Sequence, residues 1–226
     1  MSDQYITLMA SLPSHLPNLF ATKQTPISQI KLDERLQMLD SKDASDLDVI
    51  EGLFRWDHMS IDTGDHEMIA RGLRAQAQIE SDFIREIMLW RLETRTFIAA
   101  LRRSHLGQAA PLPNEKWGYG RWLQQIKSHW NEPAFGLGRQ IPWLVEAQRY
   151  VTEENYLGLE RLLLGRLWDY YGRVAGMHYF DFEAVVVYVL RWDVINRWSH
   201  YNVSKAEKRF NDMAESALGD YADLFS

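Results

Sequence analysis

The sequence predicts an all-α protein: a helical bundle of about seven or eight helices, including one long helix near residues 64–106. Three observations lead there. Apolar residues recur at alternating steps of four and three between Ile69 and Leu101, the spacing of one face of a bundled helix. Capping residues and stops such as Ser28, Thr152, and Gly107 with Pro111 and Pro113 beyond it punctuate the chain. The run FDFEAVVVYVLRWDVINRWSHYN, Phe180 to Asn202, is rich in strand-favouring valine but continues without turn residues past a typical strand length, which favours helix.

Taken in order, Tyr5 to Leu12 (YITLMASL) is apolar and short enough to be strand or helix, and Pro13 and Pro17 end it. The chain to Pro26 reads as loop. Ser28 caps a helix through Ile30, Leu32, Leu36 and Leu39. Lys42 and Asp43 interrupt the pattern, and Ser45 or Asp46 starts a second helix that buries Leu47, Ile50 and Phe54, with Leu53 and Trp56 near its inner side. A turn is expected at Asp62 to Gly64. Thr63 then opens the long helical signal, whose stripe runs Ile69, Leu73, Gln76, Glu80, Phe83, Ile87, Trp90, Thr94, Phe97, Leu101. The polar residues in its first half allow one long helix or two nearly collinear ones joined near Ser81.

Ala109 to Asn114 is a linker with two prolines. It marks the boundary within a single domain, 1–226, between an N-terminal half, 1–108, and a C-terminal half, 115–226. Glu115 to Trp130 is expected as a helix carrying Trp117, Trp122 and Trp130, and Pro142 suits the first turn of a short helix to about Tyr150. Thr152 is expected to cap the next helix, with Glu153 and Glu154 in its first turn. Gly158, Gly165 and Gly172 fall seven apart on that helix, either as a stripe for close helix approach or by chance. The central run follows, and Ser204 is expected to cap a last helix.

Composition narrows the function. The chain is 46% hydrophobic with a net charge of −6 and a pI near 5.7, which argues against a primary nucleic-acid binder. Its lack of cysteine removes disulfides, thiolate metal sites and cysteine nucleophiles. The N-terminus lacks the pattern of a signal peptide, and no long uncharged apolar window is present, so a cytoplasmic protein without a membrane span is expected. Asp57, His58, Asp62, Asp65, His66 and Glu67 gather possible metal ligands. Their spacing matches neither a zinc peptidase, an EF-hand nor a di-iron bundle, and acidic residues at a helix start complement its dipole. Walker and nucleophile-elbow patterns are absent. His178, beside Tyr179 and Phe180, reads as packed or capping, and Arg102, Arg103 and His105 suit a helix C-terminus. The expectation is therefore no catalytic, cofactor or metal residues.

Charges inside the apolar run, Glu183, Arg191, Asp193, Asn196 and Arg197, must find partners if that helix is central. IMLWRLETRTF (Ile87 to Phe97) and YVLRWDVINRW (Tyr188 to Trp198) repeat a basic–apolar–acidic row: Arg91, Leu92, Glu93 and Arg191, Trp192, Asp193. Internal contacts of Asp193 with Arg191 or Arg197, and of Glu93 with Arg91 or Arg95, are expected. Tryptophans adjoining arginines, including Trp192 and Trp198, are core residues or interface anchors.

This arrangement resembles the C/AC39 family of A/V-type rotary ATPase subunits (the d-type component of the eukaryotic enzyme), whose helical repeats carry Y-L-x-x-(E/D)-x-x-N. Tyr188, Val189, Leu190, Asp193 and Asn196 stand at comparable places. A closer likeness is to a smaller bacterial family encoded with V/A-type ATPases, through ASLP at Ala10 to Pro13, the Leu39 to Asp46 region, and Tyr188 to Trp198. The resemblance implies a non-catalytic adaptor, peripheral to the inner membrane, that joins the central stalk (D- and F-type subunits) to the membrane rotor ring and supports proton or sodium transport. Glu93, Arg91, Arg191, Asp193, Asn196, Arg197, Trp192 and Trp198 would be its structural or partner contacts. Two other readings stand beside it: a metal-dependent enzyme using the 57–67 cluster, and a helical scaffold binding through its tryptophan-rich half.

Overall fold

Local side-chain chemistry sets most of the helix starts. In the computed structural model, which describes residues 3–55, 65–112 and 115–200, every regular element is helical and no strand occurs among those residues. The α-helices are α1 (Asp3–Ser11), α2 (Gln29–Leu36), α3 (Ser41–Phe54), α4 (Asp65–Gln78), α5 (Asp82–His105), α6 (Leu123–Ser128), α7 (Trp143–Thr152), α8 (Tyr156–Val174) and α9 (182–200). The ambiguous Tyr5 to Leu12 segment is helix and buries Leu8 completely. Ser28 caps α2, as its position before the apolar pattern indicates. Gly107 adopts φ +69° beyond α5, where the Gly107 and Gln108 amides return to the Ser104 and Arg103 carbonyls. That pairing satisfies the carbonyls left over at a helix end.

Four expectations are corrected. The long helix near 64–106 is two helices. α4 stops at Gln78, and Ser81 accepts from the Ile84 amide to start α5. The two are not collinear: a Cβ placed on Gly72 would lie 2.8 Å from Leu92 Cδ1, so α4 folds back along α5. The polar positions that dilute the stripe face elsewhere, with Glu80 exposed and paired to Lys42 and Gln76 accepting from the Tyr119 hydroxyl. α3 begins at Ser41 under an Asp40 cap. Lys42 and Asp43 break the apolar pattern because they lie at its solvent-facing start. Thr152 ends α7 rather than capping α8. Asn155 is the cap, accepting from Gly158 at 2.8 Å, and Glu154 turns the chain with φ +52°. The helix expected over Glu115 to Trp130 shrinks to α6, because residues 117–122 lie across α5 and bond to its side chains. The turn at Asp62–Gly64, the Thr63 start and the Ser204 helix lie outside the described residues.

Two hydrophobic cores result. The first joins α1–α4, the N-terminal half of α5, the C-terminal half of α8, and α9. The second joins the C-terminal half of α5, the tryptophan-bearing segment 117–130, Phe135, α7 and the start of α8. The division thus falls midway along α5 and α8, which serve both cores, rather than at the 109–114 linker. The glycines of α8 do not share one contact. A Cβ on Gly158 would press Tyr150 at 2.7 Å, one on Gly165 would only touch Phe20 at 3.5 Å, and one on Gly172 would meet nothing.

α9 is the central helix that its composition suggests. Val185, Val186, Val187, Val189 and Ile195 are buried. Three aromatic donors on α8 and α9 tie the irregular N-terminal loop to this core: Trp168 Nε1 to the Pro17 carbonyl (3.0 Å), the Tyr188 hydroxyl to Pro13 (2.9 Å), and Trp192 Nε1 to Ile27 (2.8 Å). Burying such rings while their polar ends meet backbone acceptors combines large apolar burial with a satisfied hydrogen bond.

Candidate functional site

The residues singled out in α5 and α9 occupy distinct environments. Glu93, 4% exposed, accepts from the Arg121 amide at 2.9 Å and from Arg121 Nε at 3.0 Å through Oε1, and from the guanidinium again through Oε2. The Glu93 carboxylate beside Arg121 pushes that guanidinium's pKa up further. Gly120, at φ +109°, allows the chain to approach: a Cβ there would lie 2.2 Å from Glu93 Cγ. One turn away, Thr96 Oγ1 accepts from the Tyr119 amide at 2.8 Å. The expected pairing of Glu93 with Arg91 or Arg95 is therefore replaced by one with Arg121, because segment 117–122 covers that face of α5. Arg91 instead donates to the Phe54 carbonyl at 3.3 Å and lies over the Phe54 ring.

In α9, Asp193 is buried, but neither flanking arginine turns to it. Arg191 lies 4.1 Å from the Trp168 ring centroid, a cation–π arrangement, and burial lowers its pKa. Arg197 Nε donates to Glu160 of α8 at 2.8 Å. The expected pairing of Asp193 with Arg191 or Arg197 is corrected accordingly. Tyr171 lies among Asp193 and Arg91: burial pushes its hydroxyl up to about 12, Arg91 opposing the shift and Asp193 adding to it. Trp192 is 2% exposed, and Trp198 packs edge-on against Phe20, so both belong to the core rather than to an exposed anchor surface. Asn196 is half-buried on the same helix.

Asp57, His58 and Asp62 lie outside the described residues, as do the side chains of Asp65 and His66. Glu67 pairs with Arg71 at 2.5 Å. A different trio, His178, Asp181 and Glu183, brings ligand atoms within 4.8 Å. Each has a structural task. Asp181 accepts from the Ala184 amide to cap α9 and from His178, Glu183 accepts from Ser81, and the His178 ring packs on Phe83. This agrees with the packing or capping role read for His178.

A concavity of about 410 Å³ lies between α5 and α8. Leu92, Ile98, Leu163, Leu164 and Leu167, with Leu53 and Phe54 of α3 and Met68 of α4, make it apolar. Among the described residues, Arg91, Arg95, Arg102, Arg103, Arg197 and Glu160 also line it. Arg197 is paired with Glu160 and Arg103 with Glu115, and no nucleophile paired with a base lines it among the described residues. Sequence reasoning missed it because the heptad register followed Thr94, Phe97 and Leu101. The adjacent row Arg91, Arg95, Ile98, Arg102, also at helical spacing, was the available signal.

Fold and groove together define an all-α protein with a cationic, apolar-floored cleft between helices. The chain belongs to the family described as Protein of unknown function (DUF2764), whose model matches residues 3–217. No curated protein and no solved structure matches it. No described helix is long and apolar enough to cross a membrane.

Proposed function

We propose that the chain is a non-catalytic, C/AC39-like adaptor of a bacterial V/A-type rotary ATPase, joining D- and F-type central-stalk subunits to the membrane rotor ring and so supporting proton or sodium transport. The observation that carries this reading is the meeting of two segments on which the resemblance rests: the Tyr188 hydroxyl of the Tyr188–Trp198 segment donates to the carbonyl of Pro13, the last residue of ASLP. Those motifs therefore act as one structural fastening. The charged residues of the Ile87–Phe97 and Tyr188–Trp198 rows pack or pair within the chain, as suits a rigid mechanical part. The protein would reside in the cytoplasm, at the membrane through its complex.

The test is purification of the intact ATPase from membranes of the source organism by a tag on a stalk subunit. The chain is expected in stoichiometric amount. A fully coupled complex isolated without it overturns the proposal.

A further inference from the structure

We infer that His178, Asp181 and Glu183, where the turn after α8 leads into α9, form a binding site for a divalent transition-metal ion. The inference goes beyond the adaptor reading and does not rest on it. It departs from the expectation that the chain has no metal residues. One ligand atom from each of the three side chains lies within 4.8 Å of the other two, and all three residues are half-buried. An imidazole with two carboxylates is a donor set for zinc, nickel or cobalt. Calcium and magnesium take oxygen ligands instead. His178 Nδ1 and Asp181 Oδ2 are 2.7 Å apart. Donors so spaced subtend roughly 80–85° at an ion about 2.0–2.1 Å from each, close to the right angle of octahedral coordination. Solvent can complete the sphere, since the Asp181 side chain is 41% exposed.

Each ligand is also held from behind. The Ala184 amide donates to Asp181 Oδ1 at 2.9 Å, and Ser81 Oγ donates to Glu183 Oε1 at 2.8 Å. Each carboxylate keeps a second oxygen. The His178 ring lies on Phe83, with centroids 4.2 Å apart. Outer contacts of this kind orient metal ligands. Local charge points to a cation as well. Asp43 of α3 lies near this group: its carboxyl pKa is raised by burial, then by Asp46 and Glu183. Among the described residues, no lysine or arginine forms an ion pair with Asp43, Asp181 or Glu183. Lys42 is held by Glu80, and Arg85 by Asp82 and the Ile79 carbonyl. A metal ion would answer that negative charge, releasing the proton between His178 and Asp181 to solvent. It would also fasten the entry to α9 against the start of α5.

The test is isothermal titration calorimetry of the full chain, freed of metal by chelator, with zinc, nickel and magnesium chlorides. Zinc and nickel are each expected to bind one per chain, at least about tenfold more tightly than magnesium, with a buffer-dependent enthalpy that reports proton release. His178→Gln and Glu183→Gln are each expected to weaken zinc binding at least about tenfold. The double variant His58→Gln, His66→Gln is expected to bind as the parent does. A second measurement needs no variant: paramagnetic cobalt should broaden the amide resonances of residues 178–184 before others in the parent chain. Absence of binding, equal affinity for magnesium, or zinc binding that survives both His178→Gln and Glu183→Gln overturns the inference. So does binding lost only in the His58, His66 double variant, or cobalt broadening confined to other histidines. None of these outcomes bears on co-purification with the ATPase, so the two readings fall separately.

Discussion

Ile87–Phe97 of α5 and Tyr188–Trp198 of α9 share a basic–apolar–acidic row in sequence but use it differently. In α5 the acid is the active member: Glu93 clamps Arg121 and holds segment 117–122 against the helix. In α9 the flanking groups do the fastening, Tyr188 and Trp192 to the N-terminal loop and Arg191 to the Trp168 ring, while Asp193 stays buried between helices. The contrast shows that a local pattern specifies helix and burial, whereas the partner of each charge is set by the segment that arrives opposite it.

The largest expected effect tests the α9 side. Trp192→Ala removes a fully enclosed indole and its bond to Ile27, and should lower unfolding free energy by about 3–5 kcal/mol in urea titration. A loss near zero would mean that α9 is not the anchoring helix. On the α5 side, Glu93→Gln should cost about 1.5–3 kcal/mol, the range for hydrogen bonds to a charged group. It should also speed hydrogen exchange at the Tyr119 and Arg121 amides, with no such change in Trp192→Ala at equal stability. If exchange stays slow, the clamp is not what holds segment 117–122.

A pH titration probes the Arg191 environment. The His15 ring packs at a tilt against Tyr188, and burial, with Arg191 beside it, lowers its pKa to about 3. The unfolded chain protonates His15 below about pH 6.5 while the folded chain does not. Its contribution to stability is therefore full above about pH 6.5 and declines as pH falls towards 3, by up to about 1.4 kcal/mol per unit. His15→Asn should flatten that part of the curve, and an unchanged slope would remove His15 from the account. The smallest effect falls where the two regions meet. Ser81 caps α5 and donates to Glu183 of α9, so Ser81→Ala should cost about 1 kcal/mol, readable as a drop in thermal midpoint.

The all-α class, the cap at Ser28, the Gly107 stop and the centrality of α9 were legible because each rests on chemistry within a few residues. The break between α4 and α5 was visible as polar positions Gln76 and Glu80, but the fold-back was not, since it depends on Gly72 meeting Leu92. Segment 117–122 was misread as helix because its alternative hydrogen bonds come from Glu93 and Thr96, which precede Arg121 and Tyr119 by 28 and 23 residues. The groove was illegible for the same reason. Its arginines share a face of α5 by spacing alone, yet they become a site only when α8 closes the other wall.

The ties of Trp168, Tyr188 and Trp192 to the N-terminal loop span 151, 175 and 165 residues. During synthesis, the residues that must cover that loop emerge long after it, whereas the second core is complete in sequence once the start of α8 has been made. Long-separation contacts form slowly and leave apolar surface open meanwhile. The second core should therefore order first on the ribosome. The N-terminal helices wait for α9 before their shared core can close.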